Sequence, residues 1–318
     1  MRIEFDRRLI EESVFLALQA TSPSPGLEQA RYHRLADPIY KVADTDQRER
    51  AFSDLHRDMF IRLDLQRTVN EVITCFPNMS SGADVLAFVC VERKKDEEAE
   101  LFHNAEQKFS ILFRMRPETL VSSMEFKRVA FHELLRVDDM LNPSFDYSPS
   151  FMVPGVNPEQ QDMIRDRYRA LWEIYIEARL LKRQRPHKRS REGHEMNFMR
   201  LFGLSDTTQT IFGRLWTCQF GTETKNRTLI EAAQTPEALA RWAGLEISAC
   251  SKAAIRCFSA VCPLCGCPTS DWVAKTDLLD QALIEQIRKL KPGWVQESGL
   301  CGQCKELLQV NTVTAAAG

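Results

Sequence analysis

Apolar residues recur at intervals of three and four along most of this chain and alternate with polar ones in only two places. The first segment, residues 4 to 19, has helical spacing and leads into the turn-rich TSPSPG at 21 to 26. A second helical block follows from about 45 to 76, in DQRERAFSDLHRDMFIRLDLQRTVNEVI. ADVLAFVCVE (83 to 92) then predicts a strand, and RKKDEEAE a charged turn. KFSILFRMR (108 to 116) predicts a second strand, with Phe109, Ile111, Phe113 and Met115 on one side and Pro117 as its stop.

Ser122-Ser123-Met124-Glu125 has the spacing of a capping box, so a helix is expected from 122 to about Leu141, where Asn142-Pro143 breaks it. A proline- and serine-rich linker, SFDYSPSFMVPGVNPEQ, separates it from a long helix at about 158 to 183. RQRPHKRSREGHE (183 to 195) reads as an exposed basic loop, and further helices cover 196 to 256. A cysteine-rich module takes 257 to 310, and the tail at 311 to 318 is expected to fray.

The 122–141 helix carries VAFHELLRVDDMLNP, in which His132, Arg136 and Asp139 share one face at i, i+4 and i+7. In the sequence H-E-x-x-H, two histidines four apart clamp Zn²⁺ and the glutamate activates the metal-bound water. Here His132 and Glu133 hold the ligand and general-base positions, but Arg136 stands where the second histidine belongs. A guanidinium stays protonated and offers no lone pair, so Arg136 is not a ligand. Two carboxylates of the later helix, Glu173 and Glu177 in WEIYIEARL, also share a face at i and i+4.

FHELLRVDDMLNPSF and WEIYIEARL together resemble the zincin-fold metallopeptidases, near the gluzincins, over Phe109 to Leu181. SprT-like proteins, which join a zincin to a zinc ribbon, offer an architectural analogy. The resemblance implies an α+β, helix-rich zincin-like domain (1–182), then the basic loop (183–195), a helical connector (196–256) and a zinc ribbon (257–310). It also implies Glu133 as general base, His132 and Glu173 as ligands of a second metal site, and Glu177 as the residue that holds His132. The spacing admits the reverse assignment of the two glutamates. KFSILFRMR is the expected edge strand above the motif helix, along which such peptidases take substrate by strand addition.

Two readings of Arg136 follow. Its guanidinium replaces the metal by pairing with Glu173 or Glu177, leaving a silent site. Alternatively Asp139 serves as a replacement oxygen ligand, giving a one-histidine, two-carboxylate set suited to a harder divalent ion. His187 and His194, in the basic loop, are further substitute ligands of lower expectation. The first reading leads to a non-enzymatic protein that binds a protein, peptide or nucleic-acid partner. The second leads to a metallopeptidase of altered metal preference.

VCPLCGCPTSDW and LCGQC supply the strongest motif. Two C-x-x-C pairs direct four thiolates, Cys262, Cys265, Cys301 and Cys304, at one point, the pattern of a structural Cys₄ zinc site, with Cys267 as a spare thiol. The spacer has room for a helix with Leu279, Leu283, Ile287 and Leu290 on its apolar side, and Trp272 and Trp294 are expected in the module's core. Without a signal-peptide pattern or an apolar run long enough for a bilayer, a reducing, cytoplasmic setting is expected, and the ten cysteines read as metal ligands or buried thiols rather than a disulfide framework. A net charge of -2 gives no bulk attraction to nucleic acid or to an anionic membrane, so a protein or peptide partner is favoured, and a nucleic-acid partner rests on the ribbon and the basic loop at 183 to 195.

Overall fold

The computed structural model describes residues 1–20, 26–103, 108–149, 152–186, 190–246, 261–267, 269, 272, 273, 276 and 279–316. The chain is α+β and helix-rich, with one four-stranded sheet. It divides into two compact units: Met1–Pro143 with Gln184–Lys188, and Ser144–Arg183 with Arg189–Gly318. None of the described helices is long and apolar enough to cross a membrane.

The first unit is built on strands β1 (Arg2–Phe5), β2 (Ala83–Cys90), β3 (Glu98–His103) and β4 (Phe109–Met115), in the order β1-β2-β4-β3. β1, β2 and β4 run parallel, and β3 closes one side antiparallel to β4. Helices α1 (Arg7–Ala20), α2 (Leu27–Tyr40), α3 (Thr45–Arg62), α4 (Leu65–Ile73), α5 (Pro77–Gly82), α6 (Pro117–Val121) and α7 (Ser123–Leu141) complete it. Phe5, Phe88 and Phe113 stack across the sheet with ring centroids 5.0 and 5.3 Å apart, and Phe126 of α7 leans on Phe88. Burial of such rings contributes on the order of 2–3 kcal/mol each, which ties α7 to the sheet.

Four expectations change here. The chain opens as strand β1 before α1 begins, because Phe5 is drawn into the aromatic stack. The block at 45 to 76 is two helices, broken where Asp64 turns with φ 62°. The charged segment RKKDEEAE is a single 3₁₀ turn at Lys94–Asp96 followed by β3. β3 tolerates its glutamates because Arg114 of β4 pairs with both Glu98 and Glu100 at 3.0 Å. KFSILFRMR is consequently not an edge: β4 lies between β2 and β3, and the edge strands are β1 and β3.

α7 starts where its cap predicts, with Ser122 Oγ accepting from the Glu125 N–H, and ends at Leu141 before Asn142-Pro143. Eleven of its residues from Phe126 to Asp139 are buried, so the helix is enclosed rather than one-sided.

In the second unit, α8 (Pro158–Lys182) starts from a full capping box between Asn157 and Gln160. Around it pack α9 (Arg191–Phe202), α10 (Asp206–Trp216), α11 (Asn226–Gln234) and α12 (Pro236–Trp242). Buried Arg167 donates twice to the Leu201 carbonyl at the end of α9, and Tyr168 Oη donates to Asn226 at 2.8 Å. The expected basic loop therefore ends early: Ser190 caps α9, and residues 191 to 195 are helical.

Helices α13 (Gln281–Leu290) and α14 (Gly302–Ala316) belong to the cysteine module. Leu283, Ile284 and Ile287 of α13 are buried with Trp294, Leu300 and Leu308. Leu290, expected on this apolar side, is exposed, and Ile284, six residues earlier, is buried instead. The tail expected to fray from 311 is helical through Ala316.

Candidate functional site: the motif helix and the cysteine quartet

On α7, His132 and Glu133 are both buried, and His132 Nδ1 lies 3.2 Å from Glu133 Oε1. Arg136, a turn later, donates from Nη2 to Glu133 Oε2 at 2.5 Å. The same Nη2 reaches the Ala99 carbonyl of β3 at 3.3 Å, and the Ala99 N–H reaches Glu133 Oε2 at 3.4 Å. The general-base position of the motif is thus a buried carboxylate held by a guanidinium, an imidazole and a backbone amide. Sequence reasoning placed the partner of Arg136 on the later helix, yet the i,i+3 spacing of Glu133 and Arg136 on one helix was the available signal.

Asp138 and Asp139 are buried in the last turns of α7. Asp138 has a specific task. α5 begins at Pro77 behind Phe76, which has no side-chain acceptor for the free N–H groups of a helix start. Asp138 Oδ1 accepts from the N–H groups of Asn78 and Met79 at 2.9 and 3.2 Å, and Oδ2 accepts from Asn78 Nδ2 at 3.0 Å. Burial nonetheless raises its carboxyl above the usual aspartate range.

Glu173 and Glu177 lie on α8 in the second unit, Glu173 half-buried and Glu177 fully buried. Glu177 Oε1 lies 3.9 Å from Nε2 of buried His194 on α9, whose ring also packs at 5.5 Å on Trp216. His194, expected in an exposed loop, is therefore an interior residue of the helical part; His187 falls outside the described residues.

Cys262, Cys265, Cys301 and Cys304 come together, with their sulfurs all within 4.8 Å of one another. Cys262 and Cys304 Sγ are 3.9 Å apart, as are Cys265 and Cys301 Sγ. Four sulfurs each about 2.3 Å from a tetrahedral ion would stand about 3.8 Å apart, so the quartet could hold a metal ion. A disulfide needs about 2.05 Å, which none of these pairs approaches.

The local chain explains the arrangement. Gly266, at φ +72°, lets its N–H turn back to the Cys262 carbonyl at 2.9 Å, making a tight knuckle after the first pair. The N–H groups of Cys301 and Cys304 point at Cys262 Sγ and Cys301 Sγ, at 3.4 and 3.3 Å. Trp272 pairs with Cys301 as an antiparallel bridge, and Trp294 Nε1 donates to the Gly299 carbonyl at 2.8 Å; both rings are buried.

The backbone N–H of Cys267 lowers the Cys265 thiol to about 7, while burial pushes the Cys301 and Cys304 thiols up. Thiolate character is therefore costly for Cys301 and Cys304 unless a cation compensates it. Cys267 is outside the quartet, exposed, with its sulfur 3.8 Å from the Cys265 carbonyl.

No family model, curated protein or solved structure matches this chain.

Proposed function

We propose that this chain is a catalytically silent relative of the zincin metallopeptidases, joined to a Cys₄ zinc ribbon, that acts by binding a protein or peptide. The Arg136–Glu133 pair carries the reading. A general base must accept a proton from water, and the Glu133 carboxylate that would do so is already occupied by a guanidinium and the Ala99 N–H. The guanidinium also places a fixed positive charge where the second histidine would hold a divalent cation. The residues present therefore do not fit a zincin catalytic metal.

Zinc is the ion best matched to the cysteine quartet, because four thiolates in a closed tetrahedral set favour it over harder cations. Such a site stabilises a small module whose apolar core is limited to a few side chains around Trp294 and Ile287. Nucleic acid is a weaker alternative, resting on the basic residues near 183 to 195.

Elemental analysis of the purified protein tests the reading. One zinc per chain is expected, lost in Cys301→Ser and retained in His132→Ala, with no hydrolysis of an unstructured protein substrate. A second metal that disappears with His132→Ala would overturn it and restore the reading of a surviving metal site at His132.

A further inference from the structure

Both outward-facing backbone groups of Ala99 are taken by side chains of the motif helix. In an antiparallel pair, alternate residues turn their N–H and C=O toward the partner strand and away from it. Glu133 accepts the Ala99 N–H and Arg136 donates to the Ala99 carbonyl, so Ala99 faces away from β4. By the same alternation Leu101 and His103 face the side of β3 away from β4, one of the two edges of the sheet.

From this we infer that the Glu133–Arg136 pair stands in for an added strand at Ala99 and closes the β3 edge there against extended peptides. One acceptor and one donor, joined to each other, satisfy the two groups that an incoming strand would need. A guanidinium and a carboxylate bonded to each other leave no net charge at the edge, and the carboxylate is buried, so a peptide must break a charge-assisted bond to pair at Ala99. Unpaired edges invite strand addition by other chains, and charged side chains are a recurrent means of blocking it. On the β3 edge, a peptide partner is thereby restricted to the Leu101–His103 end.

This inference deepens the silent-site reading, and its test is independent of metal content. The probe is a short, capped Thr-Val repeat peptide, followed by fluorescence anisotropy, with amide exchange at Ala99 measured by NMR. The comparison is between wild type and the Glu133→Ala/Arg136→Ala double variant, which removes both charges together. Should that variant fail to fold, Glu133→Met/Arg136→Met keeps the volume while removing both the ion pair and the acceptor of the Ala99 N–H.

In the wild type no binding across Ala99 is expected, and in the variant free Ala99 should exchange about tenfold faster, the loss of one hydrogen bond. Added peptide should restore protection in the variant alone. Equal Ala99 exchange in the two free proteins would overturn the inference, as would wild-type binding that protects Ala99. Either result, obtained with one zinc per chain, would leave the silent-site reading standing.

Discussion

Arg136 and Glu133 form a 2.5 Å ion pair across one turn of α7, with the carboxylate buried and the guanidinium about a quarter exposed. The buried Glu133 carboxylate is thus compensated by a neighbour on its own helix. Removing the arginine alone would leave that charge without its guanidinium.

Arg136→Ala should accordingly destabilise the first unit by about 2–4 kcal/mol, somewhat less than a fully enclosed pair because the arginine retains some solvent. Glu133→Gln/Arg136→Met, which removes both charges at similar volume, should recover most of that loss. Urea unfolding of the two variants checks this. A double variant as unstable as the single one would show that packing around Arg136, not its charge, sets the cost.

Asp138 predicts a pH dependence of its own. Burial raises its carboxyl in the folded protein, so the folded state binds this proton more tightly than the unfolded state does. Its contribution to stability is present in full below the unfolded value of about 3.9 and is lost as pH rises through the raised folded value. Asp138→Asn keeps an acceptor for the Asn78 and Met79 N–H groups but does not ionise. Relative to wild type it should gain stability from about pH 4 upward and then level off. Asp138→Ala, which loses the cap, should cost about 1–2 kcal/mol at low pH and less as pH rises. Urea midpoints across the range test the sign; a wild type that gains on Asp138→Asn as pH rises would contradict it.

How much of this was legible in the sequence depends on whether the signal was local. α7 and α8 were readable because their caps and breaks are written beside them, Ser122 and Asn142-Pro143 for one, Asn157 with Gln160 for the other. The cysteine quartet was readable because each C-x-x-C pair fixes its own knuckle. β1 and β3 were missed because their evidence is distant. Phe5 becomes a strand residue through stacking on Phe88, and the glutamates of β3 are tolerated through Arg114 on the next strand. Losing β3 also misassigned the sheet edge to β4. His194 was placed in a loop by the basic run preceding it, although Ser190 four residues earlier is the cap that draws it into α9. The task of Asp138 could have been suspected from the other end: a helix entered through Phe76-Pro77 has no acceptor of its own.

The module at the end of the chain gives the last prediction. Cys262 and Cys301 are counted among its own buried core with Leu283, Ile284, Ile287 and Trp294, so the ligands and the apolar packing are one structure. Removing the metal should leave four crowded thiols, two of which burial already disfavours as thiolates. Chelation, or Cys301→Ser, should therefore expose Trp272, bridged to Cys301, and Trp294, whose indole N–H is held by the Gly299 carbonyl. The readout is a red shift of tryptophan emission together with loss of the module's amide protection, because a metal-stabilised module has little else to hold it. Cys267→Ser should change neither the metal content nor the emission, since its sulfur stands outside the quartet. Metal lost as readily from Cys267→Ser as from Cys265→Ser would mean that the fifth thiol is a ligand and that the quartet is wrongly drawn.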